Sequence, residues 1–384
     1  MDLPGHLPHH DIDPDGLLEF SVVFTDRSLN HMSARFVAAM QDLLRVLRET
    51  YAASTVALVP GGGSYAMEAV ARQLATGKDV LVVRNGLFSY RWSAIFEAGR
   101  IASHVTVCQA TPADASPHAP WSPPPIADVE SAIATQRPAV VFAPHVETAS
   151  GILLPDDYVR RLAAATHAVG GVFVLDCVAS GALWVDMGDL GVDVLISAPQ
   201  KGWSGTPCTG YVLLGDRGRE AVLAATSSSF AMDLGKWLSI SEAYVAGQSP
   251  YHATLPTDGI AANAATAVET QSLGLEVLRA AQIALGTAVR AALASRGFDS
   301  VAAQPYAAPS VVVVHTDDPD LRTGAAFKRA GMQVAAGVPL MCGEPDSWST
   351  FRLGLFGLDK LRDVPGTVAR LTDALDRVLT SGPA

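Results

Sequence analysis

Short β-branched runs recur along the chain, each ending in turn or polar residues: Ala57 to Pro60, VLVVRNG at 80–86, PAVVFAPH at 138–145, GVFVLDC at 171–177 and VLISAPQ at 194–200. Amphipathic helical segments separate several of them, such as DDYVRRLAAATHAVG at 156–170. Crossovers of that length return the chain to start each strand in the same direction. The expected architecture is therefore α/β, a mainly parallel sheet covered by helices on both faces. Such sheets bind ligands beyond the carboxyl ends of their strands, where the glycines and polar residues of these runs fall. From about Thr254 an alanine-rich helical stretch leads into a second unit, with SVVVVHT at 310–316 as a strand and VPGTVARLTDALDRVL at 364–379 as a closing helix. We expect a large domain over 1–258 and a smaller C-terminal α+β domain over 259–384.

Composition narrows the function. Of 384 residues, 49% are hydrophobic and 17% charged, enough apolar surface to build a core. A net charge of −11 disfavours attraction to nucleic acid or anionic membranes, which leaves small molecules as the expected partners. The opening MDLPGHLPHHDIDPDG has neither a basic nor an apolar leader region, so a cytoplasmic location is expected. Cys108, Cys177, Cys208 and Cys342 form no CxxC pair and fit neither a zinc site nor a disulfide framework.

Three segments carry possible chemistry. Lys201 follows the apolar run VLISAPQ; at a buried strand end its amine would lose hydration and become a nucleophile toward an aldehyde, while in an open loop it would only reach solvent. Asp176 ends the run FVLD, where a carboxylate needs a cationic partner such as a protonated pyridine nitrogen, or else caps the following turn. The segment Pro60, Gly61, Gly62, Gly63, Ser64 opens into a helix and offers free N–H groups to an anion, although a turn without a ligand has the same composition. It lacks both the G-x-G-x-x-G and the G-K-[ST] patterns, which argues against a dinucleotide or P-loop site.

Together these segments resemble the fold-type I enzymes that use pyridoxal 5′-phosphate, in particular the class V aminotransferases of the alanine–glyoxylate and serine–pyruvate type, with a second likeness to 2-aminoethylphosphonate–pyruvate transaminase. The resemblance runs over roughly residues 28–365. It implies that Lys201 in SAPQKGWSGTP forms the Schiff base with the cofactor, and that Gln200 contacts its phosphate region. It also implies that Asp176 in VLDCVASG pairs with the ring nitrogen while Val178 packs on one ring face. By the same likeness PGGGSYAMEAV supplies Gly62, Gly63 and Ser64 to the phosphate, and Phe88 in NGLFSYRW stacks on the other ring face. Thr148 in HVETASG falls near the phenolic oxygen, and Tyr251 and Thr254 in YHAT reach the neighbouring subunit's phosphate, implying a homodimer with shared sites. Arg352 in STFRLGLFG grips the substrate carboxylate, and His145 reads as a structural histidine.

The implied reaction moves an amino group from a small amino acid such as alanine or serine to a small 2-oxo acid such as glyoxylate or pyruvate, by a ping-pong scheme. A 2-aminoethylphosphonate-type transaminase is an alternative. So is a cysteine desulfurase or lyase, since Cys342 precedes Arg352 in a polar loop. No basic patch or attached interaction domain supports a non-catalytic sensor. One departure stands out: where family members carry a glycine- and proline-rich loop lining the substrate pocket, this chain reads EFSVVFTDRSLNHMS.

Overall fold

The computed structural model describes residues 20–22 and 28–380, so positions 19 and 23–27 of the atypical EFSVVFTDRSLNHMS segment lie outside the described residues. Helix α1 (Ala34–Tyr51) begins where Ser33 Oγ accepts the Phe36 N–H at 3.2 Å. That side chain satisfies one of the first-turn donors that has no intrahelical acceptor. The stripe Phe36, Met40, Leu43, Leu47 and Tyr51 then turns inward at helical spacing.

The central sheet has seven strands: β1 (Thr55–Pro60), β2 (Asp79–Arg84), β3 (His104–Gln109), β4 (Val140–Pro144), β5 (Val172–Asp176), β6 (Val194–Ser197) and β7 (Thr209–Leu214). Their order is β3-β2-β4-β5-β6-β7-β1. All run in one direction except β7, which is antiparallel to both β6 and β1. This is the mainly parallel sheet expected from the alternating runs, with β1, β2, β4, β5 and β6 within three residues of the runs that mark them and β3 and β7 completing it.

Helix α2 (Gly63–Leu74) follows β1, α3 (Leu87–Gly99) follows β2, α4 (Ile126–Gln136) precedes β4, and α5 (Asp156–Ala168) precedes β5. One contact shows how the sheet aims these helices. Phe142 on β4 is fully buried, with its ring 4.4 Å from Trp92 and 5.3 Å from Phe96, both on α3. A buried aromatic trio of this kind contributes several kcal/mol and holds the body of α3 on the sheet. Helix α6 (Leu234–Val245) lies on β1 and on α1.

The alanine-rich stretch after Thr254 is two helices, α7 (Thr257–Ser272) packed on α1 and α8 (Leu275–Ala294). They separate at Gly274, whose φ of +89° suits a residue without a Cβ. Helix α8 has the length and apolarity of a membrane span, yet Leu278, Leu285, Val289 and Leu293 are buried inside this fold. Beyond it, β8 (Val311–His315), β9 (Ala335–Ala336) and β10 (Thr350–Gly354) form an antiparallel sheet in the order β8-β10-β9. The closing helix α9 (Val364–Thr380) packs on α8.

Candidate active site

The carboxyl ends of the parallel strands converge on a cavity of about 230 Å³. Asp176, the last residue of β5, and Lys201, just past β6, both line it. Gly63 and Ser64 at the start of α2 form one wall, and Phe88 at the start of α3 another. Thr148, Val178 and Gln200 complete the expected set that faces this space. Gly62 caps α2 behind that wall.

Asp176 is held by its own chain. Its Oδ1 accepts the Val178 N–H at 2.9 Å, and its carbonyl accepts the His145 N–H at 2.8 Å. Burial pushes its carboxyl up to about 6, with Glu147 adding to the rise while Arg91 and Lys201 oppose it. At neutral pH the group is an ionised carboxylate kept from water at a cost, a state that calls for a cation. Lys201 is shifted the other way: burial first, then the Arg352 guanidinium and Arg91, lower its ammonium below the ordinary lysine range, against Asp176. Its Nζ stands 4.9 Å from the Phe356 ring centroid. The result is an amine that gives up its proton more readily than a surface lysine, facing a carboxylate that is slow to lose one.

Arg352 on β10 reaches toward the same space from the second sheet. Its Nε donates to the Ala336 carbonyl at 2.9 Å, its Nη1 approaches the Thr148 carbonyl at 3.5 Å, and its guanidinium carbon lies 5.6 Å from the Phe88 centroid. No carboxylate among the described residues forms an ion pair with it, and burial lowers its pKa. A guanidinium anchored on one edge with its other donors open suits a bidentate carboxylate.

Two site residues escaped the sequence reading. Glu147, fully buried, accepts the N–H groups of Phe88 (3.2 Å), Ser89 (2.8 Å) and Ala149 (3.0 Å) and the Ser89 hydroxyl (2.7 Å). It ties the first turn of α3 to the segment carrying Thr148, an anion on a helix N-terminus. Arg91 lines the cavity and donates from Nη1 to Ser64 Oγ at 2.7 Å. Its one available signal was the three-residue spacing from Phe88 on a helix, which puts both on one face.

The remaining candidates separate clearly. His145 is buried, bonded through Nδ1 to Ser180 Oγ at 2.7 Å, and burial lowers it to about 4, so it is a neutral structural ring. Tyr251 and Thr254 are exposed, joined to each other at 3.2 Å, and neither lines the Lys201 cavity of its own chain. Cys342 is buried, its thiol donating to the carbonyls of Arg84 (3.6 Å) and Leu340 (3.7 Å). Burial, Glu147 and Glu344 push that thiol up to about 12, so it is no thiolate nucleophile. Among the described residues no group of three metal-ligating side chains could hold a metal ion.

The family profile described as Aminotransferase class-V matches residues 19–341. The chain belongs to the class-V aminotransferases. It is 30% identical over 320 residues to the 2-aminoethylphosphonate–pyruvate transaminase of Burkholderia mallei, covering 82% of this chain and 81% of that one. It is also 27% identical to the soluble hydrogenase small subunit of a Synechococcus strain, covering 90% and 87%. In fold it matches the alanine–glyoxylate aminotransferase of a Nostoc species with a TM-score of 0.77 at 22% identity, covering 92% and 89%. The ureidoglycine–glyoxylate aminotransferase of Bacillus subtilis matches with 0.78 at 20% identity, covering 93% and 88%.

This aminotransferase is an enzyme of fold-type I, and its cofactor is pyridoxal 5′-phosphate. The cavity suits that group. At Gly62, φ is +156° and an added Cβ would meet nothing within 4 Å, so the backbone opens onto free space beside the N-terminus of α2. At Gly63 an added Cβ would press on Val178 at 3.0 Å, narrowing the slot between the glycine turn and the residue expected on the ring face. A dianionic phosphate answers the open helix N-terminus, and a protonated ring nitrogen answers the buried Asp176.

Proposed function

We propose that the enzyme moves an amino group from a small amino acid, alanine or serine, to glyoxylate or pyruvate, both half-reactions running in turn through the one cavity. The observation that carries this reading is Lys201 and Asp176 lining one cavity, with Arg352 at its edge beside Thr148 and Phe88. When bound, the cofactor supplies an aldehyde and an electron-accepting ring. The chain's own groups do the rest. Asp176 holds the ring nitrogen's proton. Arg352 seats the substrate's carboxylate and so points its α-carbon at Lys201. Lys201, its amine poised to lose and regain a proton, takes the α-proton from one face and returns it on the same side. Phe88 and Val178 enclose the ring and keep water out.

A donor bearing a phosphonate in place of the carboxylate is the second reading, favoured by the 30% identity to 2-aminoethylphosphonate–pyruvate transaminases. One screen separates them: alanine, serine and 2-aminoethylphosphonate as donors to glyoxylate, and serine and 2-aminoethylphosphonate as donors to pyruvate, following the glycine or alanine formed from the acceptor. Turnover of alanine or serine well above the phosphonate amine supports the first reading, and the reverse order replaces it. Arg352→Ala should lower kcat/KM for carboxylate donors by about 2–4 kcal/mol, chiefly through KM. Unchanged kinetics would remove Arg352 from the site.

A further inference from the structure

We propose that Arg91 is a ligand of the cofactor's phosphate, acting together with Ser64 and the N-terminus of α2. This rests on the family's cofactor and not on which donor the enzyme uses.

The argument begins at the first turn of α3. Phe88 and Arg91 are three residues apart and share a face, and the Arg91 guanidinium carbon lies 5.2 Å from the Phe88 centroid. A ring that stacks on the cofactor therefore brings a guanidinium with it. That guanidinium reaches across to α2, where Nη1 meets Ser64 Oγ at 2.7 Å. Ser64 is the second residue of α2, directly in the N-terminal turn whose N–H groups have no intrahelical acceptors. Because Arg91 uses a lone pair of the Ser64 oxygen, the hydroxyl proton is left to be donated elsewhere.

Arg91 itself is underused. A guanidinium has five N–H donors, yet Ser64 is its one hydrogen-bond acceptor among the described residues, and none of their carboxylates pairs with it. Arg161 and Arg219, by contrast, each close a fork on one carboxylate, that of Glu130 and of Glu242. The two guanidinium groups at the site also differ in what anchors them. Arg352 is fixed to Ala336 on the second sheet and approaches Thr148 after β4, whereas Arg91 is fixed to the glycine-turn side. A dianion seated at the glycine turn meets a helix N-terminus, a hydroxyl proton and a guanidinium fork together, the combination that binds phosphate bidentately. The carboxylate of the substrate is left to Arg352.

The test uses apoenzyme of the full chain, titrated with pyridoxal 5′-phosphate and, separately, with pyridoxal, which lacks the phosphate. Binding is read from tryptophan fluorescence and near-ultraviolet absorbance. Arg91→Ala should weaken pyridoxal 5′-phosphate about 10- to 100-fold, the range of one charge-assisted hydrogen bond, and leave pyridoxal within about twofold. Arg91→Lys, which keeps the charge and loses the fork, should fall between. Inorganic phosphate should compete with the cofactor less well in both variants than in the wild type. If pyridoxal and pyridoxal 5′-phosphate weaken equally, Arg91 is only a packing residue and the proposal fails. It fails too if cofactor affinity is untouched while KM for anionic substrates rises, which would make Arg91 a substrate ligand. Should Arg91→Ala not fold, Arg91→Lys and the phosphate competition decide between the same outcomes.

Discussion

At the scale of single residues the site is a set of groups held in states they would not choose in water. Asp176 is the clearest. Its carboxyl rises from 3.8 to about 6 on folding, so between those values the folded chain holds a proton that the unfolded chain has released. Stability from this group is therefore fully present below pH 3.8 and lost as pH climbs through about 6. A rise of that size corresponds to at most about 3 kcal/mol of destabilisation in the cofactor-free enzyme at pH 8. Asp176→Asn removes the charge and keeps the shape. The apo variant should be about 1–3 kcal/mol more stable than wild type in urea at pH 8, with the difference shrinking toward zero at pH 4. Its aminotransferase activity should nevertheless be lost, because an amide cannot hold the ring nitrogen's proton. A variant no more stable at pH 8 would mean that Asp176 is well solvated and that its cationic partner is not needed. The same desolvation that strains the empty protein is what makes the residue a strong partner for a cationic ring.

At the scale of elements, function depends on how α3 is docked. Phe142, Trp92 and Phe96 press its body onto the sheet, and the Glu147 carboxylate collects the N–H groups of its first turn. Phe88 and Arg91 are carried to the cavity by these contacts, and the bond from Arg91 to Ser64 then fixes the guanidinium. Glu147→Ala leaves three buried donors without their acceptor and should destabilise the protein by about 2–4 kcal/mol in urea. Glu147→Gln should cost less, because its amide oxygen still accepts. In both, pyridoxal should bind more weakly because Phe88 shifts, and pyridoxal 5′-phosphate should lose more because Arg91 moves with it. Intact affinity in Glu147→Ala would show that α3 is fixed by its aromatic trio alone. This also explains what the sequence could disclose. Asp176, Lys201 and the glycine turn are legible because each sits at the end of an apolar run, and a strand end is a place in the fold. Glu147 and Arg91 are not, because their roles arise only when α3 meets the segment after β4 and the start of α2. The break at Gly274 was hidden for a related reason: alanine-rich sequence continues on both sides of it with no change of pattern, and only the glycine's backbone angle ends one helix and begins the next.

At the scale of the molecule the position of Tyr251 and Thr254 becomes the deciding feature. Their hydroxyls are 3.2 Å apart and exposed, beside other uncovered aromatic side chains such as Phe230, and they do not reach the cavity of their own chain. Large apolar side chains left uncovered together are the mark of an interaction face. We propose, from the family resemblance, that both hydroxyls serve the phosphate of a neighbouring subunit, so each site would take Lys201 from one copy and Thr254 from the other. Complementation tests this directly. In the homodimer that the resemblance implies, Lys201→Ala should abolish activity when paired with itself, and Tyr251→Phe combined with Thr254→Ala should weaken cofactor binding about 10-fold or more when paired with itself. In a hybrid of the two, one site pairs an intact Lys201 with the intact Tyr251 and Thr254 of the other chain, while the second site carries both lesions. Mixing the inactive Lys201→Ala chain with the double variant, under conditions that exchange subunits, should therefore raise activity at limiting cofactor above that of the double variant alone. If the sites were complete within one chain, every hybrid site would carry a single lesion, and the inactive partner would only dilute the activity. A rise on mixing follows from shared sites and from no arrangement in which each copy works alone.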